Sequence, residues 1–399
     1  MSGSASNDGS NNDGLLQPAD WSFPVPVAFG PGRLVELGQI CGDTGSSKPL
    51  IVTDRGSADL PFIAKAVDIL AAAGINAEVF ADVSPNPTDA DVTQGREAFR
   101  SGGHDGVIAI GGGSGMDAGK SISLVAANDV DLWQFDYDLG VSPNLAASEL
   151  VPLITIPTTA GTGAETESTA MVTDIARGMK GCVWHPDHKP SAVILDPELT
   201  LGLPSNLTAW TGVDALVHAI EAYSVPDWHP MCDGLALEAM RLITRWLPIA
   251  VEDGANLEAR SGMLVGSCLA GVSFLKGLGL VHAMSHMIGA VYDTHHGLTN
   301  AVLLPPVLRF NRDSIEDKWA LMAQAMGVDG DYDSLYGTVV ELLDRLAIPT
   351  DLAAIGVGLD RVDELADKAS RDAAATTNPV IATIPQIAAL IAGALTETR

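Results

Sequence analysis

The sequence has few cysteines, few basic residues and no long apolar run, and each shortage excludes a class of protein. The 4 cysteines form no Cys-x-x-Cys pair and no dense framework, which argues against a disulfide-stapled secreted domain and indicates buried thiols in a reducing cytoplasm. No apolar run approaches the roughly 18 residues that a membrane-spanning helix needs. The N-terminal segment MSGSASNDGSNNDG has neither a basic region nor an apolar stretch, so we do not expect it to act as a secretory signal.

Basic residues are outnumbered by acidic ones, 22 Lys and Arg against 50 Asp and Glu, with a formal net charge of −28 at pH 7. A surface of this sign repels nucleic acid phosphates and anionic lipid, so we expect neither nucleic acid nor a membrane as a partner. The acidic residues are scattered along the chain, which is typical of a halophilic protein, since concentrated salt screens the self-repulsion. An acidic enzyme from an ordinary medium is the alternative.

The chain of 399 residues exceeds what one hydrophobic core usually serves, and its pattern divides it into unlike parts. Residues 1–14 are rich in Ser, Asn, Gly and Asp, which predicts a disordered tail. Between residues 49 and 196, β-branched runs such as 49–54 and 105–110 alternate with amphipathic segments such as 61–74. This strict alternation predicts a parallel sheet with helices on both faces.

After about residue 200 the strand signals stop and the apolar residues recur with helical spacing to the C-terminus. Pro197 and Pro204 punctuate the transition. The sequence therefore predicts an α/β nucleotide-binding domain over residues 15–200 and an all-α domain over residues 201–399.

A glycine-rich loop, VIAIGGGSGMDAGKS, leads from a predicted strand into a predicted helix. Gly113, Gly115 and Ala118 satisfy the permissive form of the dinucleotide fingerprint, whereas Ser114 stands where the P-loop pattern requires its first glycine. A second glycine loop, PTTAGTG, follows the next strand. Because ligands of open parallel sheets lie at the carboxyl ends of strands, the two loops favour a dinucleotide site, although such a turn without a ligand is the alternative.

Asp54 ends an earlier predicted strand at the same edge of the sheet. A carboxylate there could bind a ribose 2′-hydroxyl and would repel a 2′-phosphate, so it favours NAD over NADP. An ordinary turn aspartate is the alternative.

The histidines cluster, with His282, His286, His295 and His296 inside the segment GLVHAMSHMIGAVYDTHHG. Upstream, GVDALVHAIEAY places Asp214 and His218 four residues apart, on one face of an apolar helix. A buried aspartate beside a buried histidine is costly unless the two pair or hold a cation. One carboxylate with several neutral imidazoles suits Fe²⁺ or Zn²⁺, and histidines of the core are the alternative.

Together the glycine loop, TIPTTAGTGAE, GVDALVHAIEAY, GLGLVHAMSH and HHGLTNAVLLP make the chain resemble the iron-containing, or group III, alcohol dehydrogenases. The resemblance runs from about residue 20 to the C-terminus. It implies a dehydroquinate synthase-like fold, in which one divalent metal lies in the cleft between a nucleotide-binding α/β domain and a helical domain. It also implies a homodimer.

The resemblance assigns roles to residues of this chain. The metal ligands of the family fall on Asp214, His218, His282 and His296, and His286 matches a further active-site histidine beside the nicotinamide. The nucleotide contacts fall on Asp54, Asn86, Gly112, Gly113, Ser114, Asp117, Thr158, Thr159, Thr162 and Lys180. His295 has no assigned role. Glu167 replaces a threonine of many members, which leaves its effect on cofactor preference or substrate polarity open.

The implied activity is reversible hydride transfer between NAD(H) and a primary alcohol or aldehyde, a small diol or a hydroxyacid. The metal, Fe²⁺ first and Zn²⁺ as the alternative, acts as a Lewis acid, and His286 or a water chain carries the proton. NADP is the less expected cofactor.

Three other classes of protein are alternatives to an alcohol dehydrogenase. A dehydroquinate-synthase-like lyase, which also uses NAD and a metal, should carry clustered basic residues in the helical domain. Between residues 200 and 300 the basic residues are only Arg241, Arg245, Arg260 and Lys276. The complete ligand set argues against glycerol dehydrogenase-like and maleylacetate reductase-like enzymes. The glycine loops argue against a catalytically silent metal-binding protein.

Overall fold

The computed structural model describes residues 19–21 and 25–396, so the predicted tail at residues 1–14 lies outside it. The strands are β1 (Ala19–Trp21), β2 (Val27–Phe29), β3 (Pro49–Val52), β4 (Glu78–Phe80), β5 (Gly106–Gly111), β6 (Leu153–Pro157), β7 (Thr169–Asp174), β8 (Met179–Trp184) and β9 (Ala192–Leu195). The helices of the first half are α1 (Leu37–Asp43), α2 (Pro61–Ala72), α3 (Asp89–Gly102) and α4 (Gly113–Ala126).

The second half is helical. Its helices are α5 (Ser205–Ser224), α6 (Pro230–Glu252), α7 (Leu257–Ser273), α8 (Leu280–Tyr292), α9 (His296–Asn311), α10 (Trp319–Ala325), α11 (Tyr332–Arg345), α12 (Val362–Ala369) and α13 (Ile384–Thr396). Short 3-10 helices lie at Arg33–Glu36, Leu132–Phe135, Tyr137–Leu139, Ala147–Glu149, Pro197–Thr200, Phe274–Lys276, Arg312–Ser314, Ala353–Ile355, Leu359–Arg361 and Ala373–Thr377.

The main sheet has seven strands in the order β1-β2-β9-β6-β5-β3-β4. β1 pairs with β2 antiparallel, and the other neighbours are parallel. Successive side chains of a strand point to opposite faces. Along β5, Ile108 and Ile110 therefore pack against α1 and α2, whereas Val107 and Ala109 pack against α3 and α4. The predicted α/β fold with a parallel sheet covered on both faces is confirmed.

The predicted strict alternation of strands and helices is wrong between β6 and β9. A two-stranded antiparallel sheet, β7 with β8, replaces the crossover helix there. Val172 and Val183 of this hairpin pack in the same core as Ile122 of α4, so the hairpin extends the cover on that face of the sheet. The pattern of β8 gave little signal because only Val183 of its six residues is buried.

Local signals placed α2 and α3 correctly. The helix predicted at residues 61–74 runs over Pro61–Ala72, and Gly74 follows it with φ +77°. The predicted cap Thr88 forms a capping box, in which Thr88 Oγ1 accepts from the Asp91 amide at 3.2 Å and Asp91 Oδ2 accepts from the Thr88 amide at 2.9 Å.

The helical half is built around α5, which is buried along most of its length and packs with α6, α7 and α9. β9 ends at Leu195 and α5 begins at Ser205, so the change of architecture lies where the composition changes.

Cys41, Cys232 and Cys268 are buried, Cys182 is half-buried, and all four are free thiols. Within residues 19–21 and 25–396, no single helix is long and apolar enough to cross a membrane; Leu257–Lys276 and Leu280–Tyr292 pass that test only as a pair bent by 104°.

Candidate active site

A cleft of about 1510 Å³ lies between the carboxyl ends of the parallel strands and the helical half of the chain. All the site residues predicted from the sequence line it: the ten expected nucleotide contacts, the four expected metal ligands and His286. The fold thus brings together residues that span positions 54 to 296 of the chain.

The nucleotide side of the cleft is made by the two glycine loops. Gly112 adopts an extended conformation with ψ −167°, and α4 begins at the next residue. A Cβ on Gly113 would lie 2.7 Å from Thr162 Cγ2, and the Thr158 amide donates to the Gly111 carbonyl at 2.9 Å. The glycines of the first loop therefore leave room for the threonine side chains of the second, and the N-terminus of α4 opens into the cleft, where its amides could bind an anionic phosphate.

Three polar side chains of this edge also form contacts within the chain. Asp54 accepts from the amide and the hydroxyl of Ser57, at 3.1 and 2.8 Å. These are the hydrogen bonds of an ordinary turn aspartate, but the carboxylate of Asp54 also lines the cleft. Ser114 donates to the Pro85 carbonyl. Asn86 donates to Asp293 Oδ1 at 2.7 Å, which links the α/β half to the helical half.

Buried charges connect the nucleotide side to the metal side. Burial raises the pKa of Asp117 to about 6, against the opposing charges of Lys120 and Lys180. Burial also lowers the pKa of Lys180, which Asp117 and Asp214 partly restore. The Lys180 ammonium group is therefore stabilised by one acidic residue from each side of the cleft.

The metal side of the cleft contains a compact cluster of Asp214, His218, His282 and His296. Each residue offers one ligand atom, and these atoms all lie within 4.8 Å of one another. Asp214 Oδ1 lies 3.8 Å from His282 Nε2 and 3.6 Å from His296 Nε2. These distances exceed a hydrogen bond and approach the roughly 3.4 Å that separates two ligands of a tetrahedral metal ion. The donor set fits Fe²⁺ or Zn²⁺.

The side chains behind the cluster orient it. His282 Nδ1 donates to Glu221 Oε2 at 2.6 Å, and His296 Nδ1 lies 3.0 Å from Ser285 Oγ, which leaves both Nε2 atoms directed toward Asp214. Burial lowers the pKa of His218 to about 4 and that of His296 well below its usual value. Neutral imidazoles are the form that binds a metal.

Comparison with known proteins decides the family. Residues 24–197 match the model of the iron-containing alcohol dehydrogenases, and residues 208–395 match the C-terminal model of the Fe-containing alcohol dehydrogenase family. The chain belongs to this family. The prediction of a metal-dependent alcohol dehydrogenase that uses a nicotinamide cofactor is confirmed, and the lyase alternative is not favoured.

Individual relatives are similar over nearly the whole chain. The NAD-dependent methanol dehydrogenase of Bacillus methanolicus is 38% identical over 384 residues, 94% of this chain and 100% of that protein. The 1,3-propanediol dehydrogenase of Citrobacter freundii is 38% identical over 370 residues, 90% of this chain and 94% of that protein. The crystal structure of a 1,3-propanediol oxidoreductase, 37% identical, covers 92% of this chain and 97% of its own with a TM-score of 0.88.

Three polar residues that contact the predicted site were not predicted from the sequence. Glu221 lies one turn beyond His218 on α5, so its spacing of seven residues from Asp214 was an available signal. Asn300 Nδ2 lies 2.6 Å from Asp214 Oδ1, and its position four residues after His296 was a similar signal. Asp372 accepts from His286 Nδ1 at 2.8 Å, and nothing near either residue in the sequence indicates this pair.

The two remaining histidines occupy different positions. His286 lies one turn after His282 on α8, and its ring stacks on that of His296 with centroids 5.4 Å apart. His295 precedes α9 and packs against Trp210 with ring centroids 5.0 Å apart. His295 lies outside the four-residue cluster, although it lines the cleft.

Glu167 belongs to a buried charged group below the cleft. Glu165 and Glu167 are each 2% exposed, and burial raises the pKa of both to about 7. Lys120 lies nearby, but its Nζ donates to the Ala164 carbonyl at 2.7 Å. Glu167 lines the cleft, so it adds an ionisable carboxyl group where many relatives are expected to have threonine.

Proposed function

We propose that this dehydrogenase oxidises small, uncharged primary alcohols or diols with NAD⁺ and reduces the corresponding aldehydes with NADH. The observation that carries the proposal is the compact Asp-His-His-His cluster, which faces the glycine loops across one cleft. The proposed ligands are Asp214, His218, His282 and His296, with Fe²⁺ as the first choice and Zn²⁺ as the alternative.

On the nucleotide side, we assign the pyrophosphate of NAD to the N-terminus of α4 and the paired glycine loops. Gly112, Gly113 and Ser114 would supply backbone amides there, with Thr158, Thr159 and Thr162 on the facing loop. Asn86, Asp117 and Lys180 line the remaining length of this side. Asp54 would bind the ribose 2′-hydroxyl and disfavour NADP.

On the metal side, the residues of the chain would orient the alcohol and move its proton. When bound, the divalent metal would supply Lewis acidity toward the substrate oxygen, and NAD⁺ would supply the hydride acceptor. His286 is proposed to pass the proton toward solvent, since it lines the cleft one turn from His282. Asp372 accepts from His286 Nδ1 and thereby leaves Nε2 as the nitrogen that could exchange the proton.

The charge of the cleft supports an uncharged substrate. Eight acidic side chains and three lysines line it. Of the lysines, Lys276 pairs with Asp233 at 2.5 Å. A hydroxyacid would bring its carboxylate into this field, whereas an alcohol or a diol would not.

We also propose that the chain works as a cytoplasmic homodimer in concentrated salt. The net charge of −28 supports a medium of concentrated salt, and the four free thiols support a reducing compartment. β1 is the last strand of its sheet, so its outer edge has no strand partner within the described chain and could pair with a second copy. Light scattering across a range of salt concentrations tests the assembly.

The proposed function is tested by an anaerobic assay in molar salt with Fe²⁺- or Zn²⁺-reconstituted protein. NAD⁺ and NADP⁺ are each offered with a panel of primary alcohols, diols and hydroxyacids. We expect metal-dependent formation of NADH that is fastest with the uncharged substrates. If folded protein with verified metal reduces neither cofactor with any alcohol, the dehydrogenase assignment fails and the lyase becomes the better hypothesis.

Replacing Asp54 by alanine should change cofactor preference. Loss of the carboxylate removes a ribose acceptor and a charge that repels the 2′-phosphate, so the ratio of kcat/KM for NAD⁺ to that for NADP⁺ should fall about 10-fold or more. Ser57→Ala is the matched control, because it removes a turn partner of Asp54 but keeps the carboxylate. An unchanged ratio in Asp54→Ala would assign Asp54 to the turn alone.

Replacing Glu167 by glutamine should relax the rejection of hydroxyacids. 4-Hydroxybutyrate has a carboxylate where 1,4-butanediol has a second alcohol group. The kcat/KM for the diol divided by that for the hydroxyacid therefore measures the rejection. In Glu167→Gln we expect the ratio to fall about 10-fold, mainly through faster oxidation of the hydroxyacid. Because the pKa of Glu167 is raised to about 7, with Lys120, Lys189 and Glu165 as its charged neighbours, the wild-type ratio should rise between about pH 6 and pH 8. Equal ratios in the two proteins at about pH 8 would contradict this role.

A further inference from the structure

Glu221 is a buried carboxyl group behind the proposed metal cluster. It lies on α5 on the same helix face as Asp214 and His218, at spacings of seven and three residues. Its side chain is 5% exposed. A buried carboxylate is stable only with charged or hydrogen-bonding partners, so its contacts indicate its task.

Both oxygens of Glu221 bind the first turn of α8. Oε2 lies 2.6 Å from His282 Nδ1, and Oε1 accepts from the Val281 amide at 2.7 Å. An ionised carboxylate only accepts hydrogen bonds, so His282 must carry its proton on Nδ1. Its Nε2 then has a lone pair, and this atom lies 3.8 Å from Asp214 Oδ1.

The local backbone makes room for this contact. A Cβ on Gly279 would lie 2.7 Å from Glu221 Oε1 and 2.8 Å from Asn378 Oδ1. Asn378 Oδ1 accepts from the Leu280 amide at 3.2 Å, beside the bond from Val281 to Glu221. Two side-chain acceptors therefore satisfy the first amides of α8 and fix the turn that carries His282.

We propose that Glu221 is a positioning residue for the metal centre: its carboxylate holds His282 in the tautomer and orientation that present Nε2 to the metal. This inference rests on the metal site of the proposed function. A carboxylate that accepts from the outer nitrogen of a ligand histidine also makes that histidine a stronger donor.

The chain provides a matched comparison one helical turn away. Asp372 Oδ2 accepts from His286 Nδ1 at 2.8 Å, so both histidines of α8 have a buried carboxylate on Nδ1. Only His282 belongs to the four-residue cluster. Removing the charge of Glu221 should therefore weaken metal binding, whereas removing that of Asp372 should leave it intact.

Glu221→Gln is a sharp test because an amide cannot accept from both partners. If its NH₂ group faces His282, Nδ1 must accept and Nε2 then carries a proton where the metal would bind. If its NH₂ group faces Val281, two donors meet at the start of α8. The first orientation takes away a metal ligand atom, and the second takes away the hydrogen bond that fixes the turn carrying His282.

The experiment compares Co²⁺ and Zn²⁺ binding by the full-length wild type, Glu221→Gln, Glu221→Asp and Asp372→Asn. The readouts are the dissociation constant, the visible spectrum of bound Co²⁺ and thermal unfolding of the metal-free proteins. For Glu221→Gln we expect a dissociation constant raised about 10- to 100-fold and an altered Co²⁺ spectrum. Glu221→Asp should recover part of the affinity, and Asp372→Asn should stay within about threefold of the wild type.

The possible outcomes separate the hypotheses. Wild-type affinity and spectrum in Glu221→Gln would overturn the positioning role while leaving the metal site in place. An equal loss in Asp372→Asn would overturn it as well, because any buried carboxylate would then have the same effect. If the wild type binds neither ion, the proposed metal site fails together with this inference. The metal-free unfolding curves distinguish a lost ligand from a lost fold.

Discussion

Asp214→Ala should bind no stoichiometric metal and should lose about 10³-fold or more in kcat/KM for any alcohol. Asp214 contributes the only carboxylate of the cluster, and its Oδ1 lies within 4 Å of two imidazole Nε2 atoms. Without it, a divalent ion would have three neutral ligands and no charge to balance it. The Lewis acidity that is lost corresponds to several kcal/mol of transition-state stabilisation. Elemental analysis of the metal content and steady-state kinetics measure the two effects.

Asp317→Ala provides the control, since it removes an exposed aspartate of the helical half. It should keep one metal per chain and full activity. His296→Ala should behave like Asp214→Ala, because His296 belongs to the same cluster. The ligand assignment is wrong if Asp214→Ala retains one bound metal and activity within tenfold of the wild type.

Gly271→Ala should destabilise the protein and should also weaken cofactor binding. A Cβ on Gly271 would lie 2.3 Å from the Gly163 carbonyl oxygen and 2.7 Å from its Cα. Backbone thus meets backbone where the second glycine loop touches α7, and no flexible side chain can yield. We expect about 1–3 kcal/mol of destabilisation, which lowers the melting temperature of a chain of this length by about 1–4 °C.

The same substitution should raise the dissociation constant of NADH about fivefold, because the displaced loop also carries Thr162. Calorimetry and fluorescence titration measure the two quantities. The control is Gly337→Ala in α11, where an added Cβ would meet nothing within 4 Å. It should be neutral or slightly stabilising, since alanine is the better helix former. Equal melting temperatures of the two variants would contradict the close-approach argument.

Structural features that depend only on a few consecutive residues could be predicted from the sequence. The capping box at Thr88, the stop at Gly74 and the run of apolar positions in α2 each depend on neighbours within one or two turns. The pairing of Asp214 with His218 depends on a spacing of four residues in a helix. Such signals survive because local hydrogen bonds and side-chain periodicity are fixed by the helix itself.

The second antiparallel sheet could not be predicted in the same way. Ala170 and Val172 of β7 alternate into the core, but β8 buries only Val183 and its pattern is not that of a strand. β8 is held by its register with β7 and by its packing below α4. Its conformation therefore depends on partners that the segment itself does not encode.

The sequence by itself determined the class of this protein: an alternating half with glycine loops at strand ends, a helical half with a histidine-rich segment, and an acidic surface. Only the tertiary structure decided which distant groups meet. It brings Glu221 to His282 across 61 positions, Asp372 to His286 across 86, and Asn86 to Asp293 across 207. The reason is physical: helix and turn signals act over a few residues, whereas these contacts depend on how whole helices and loops pack against one another.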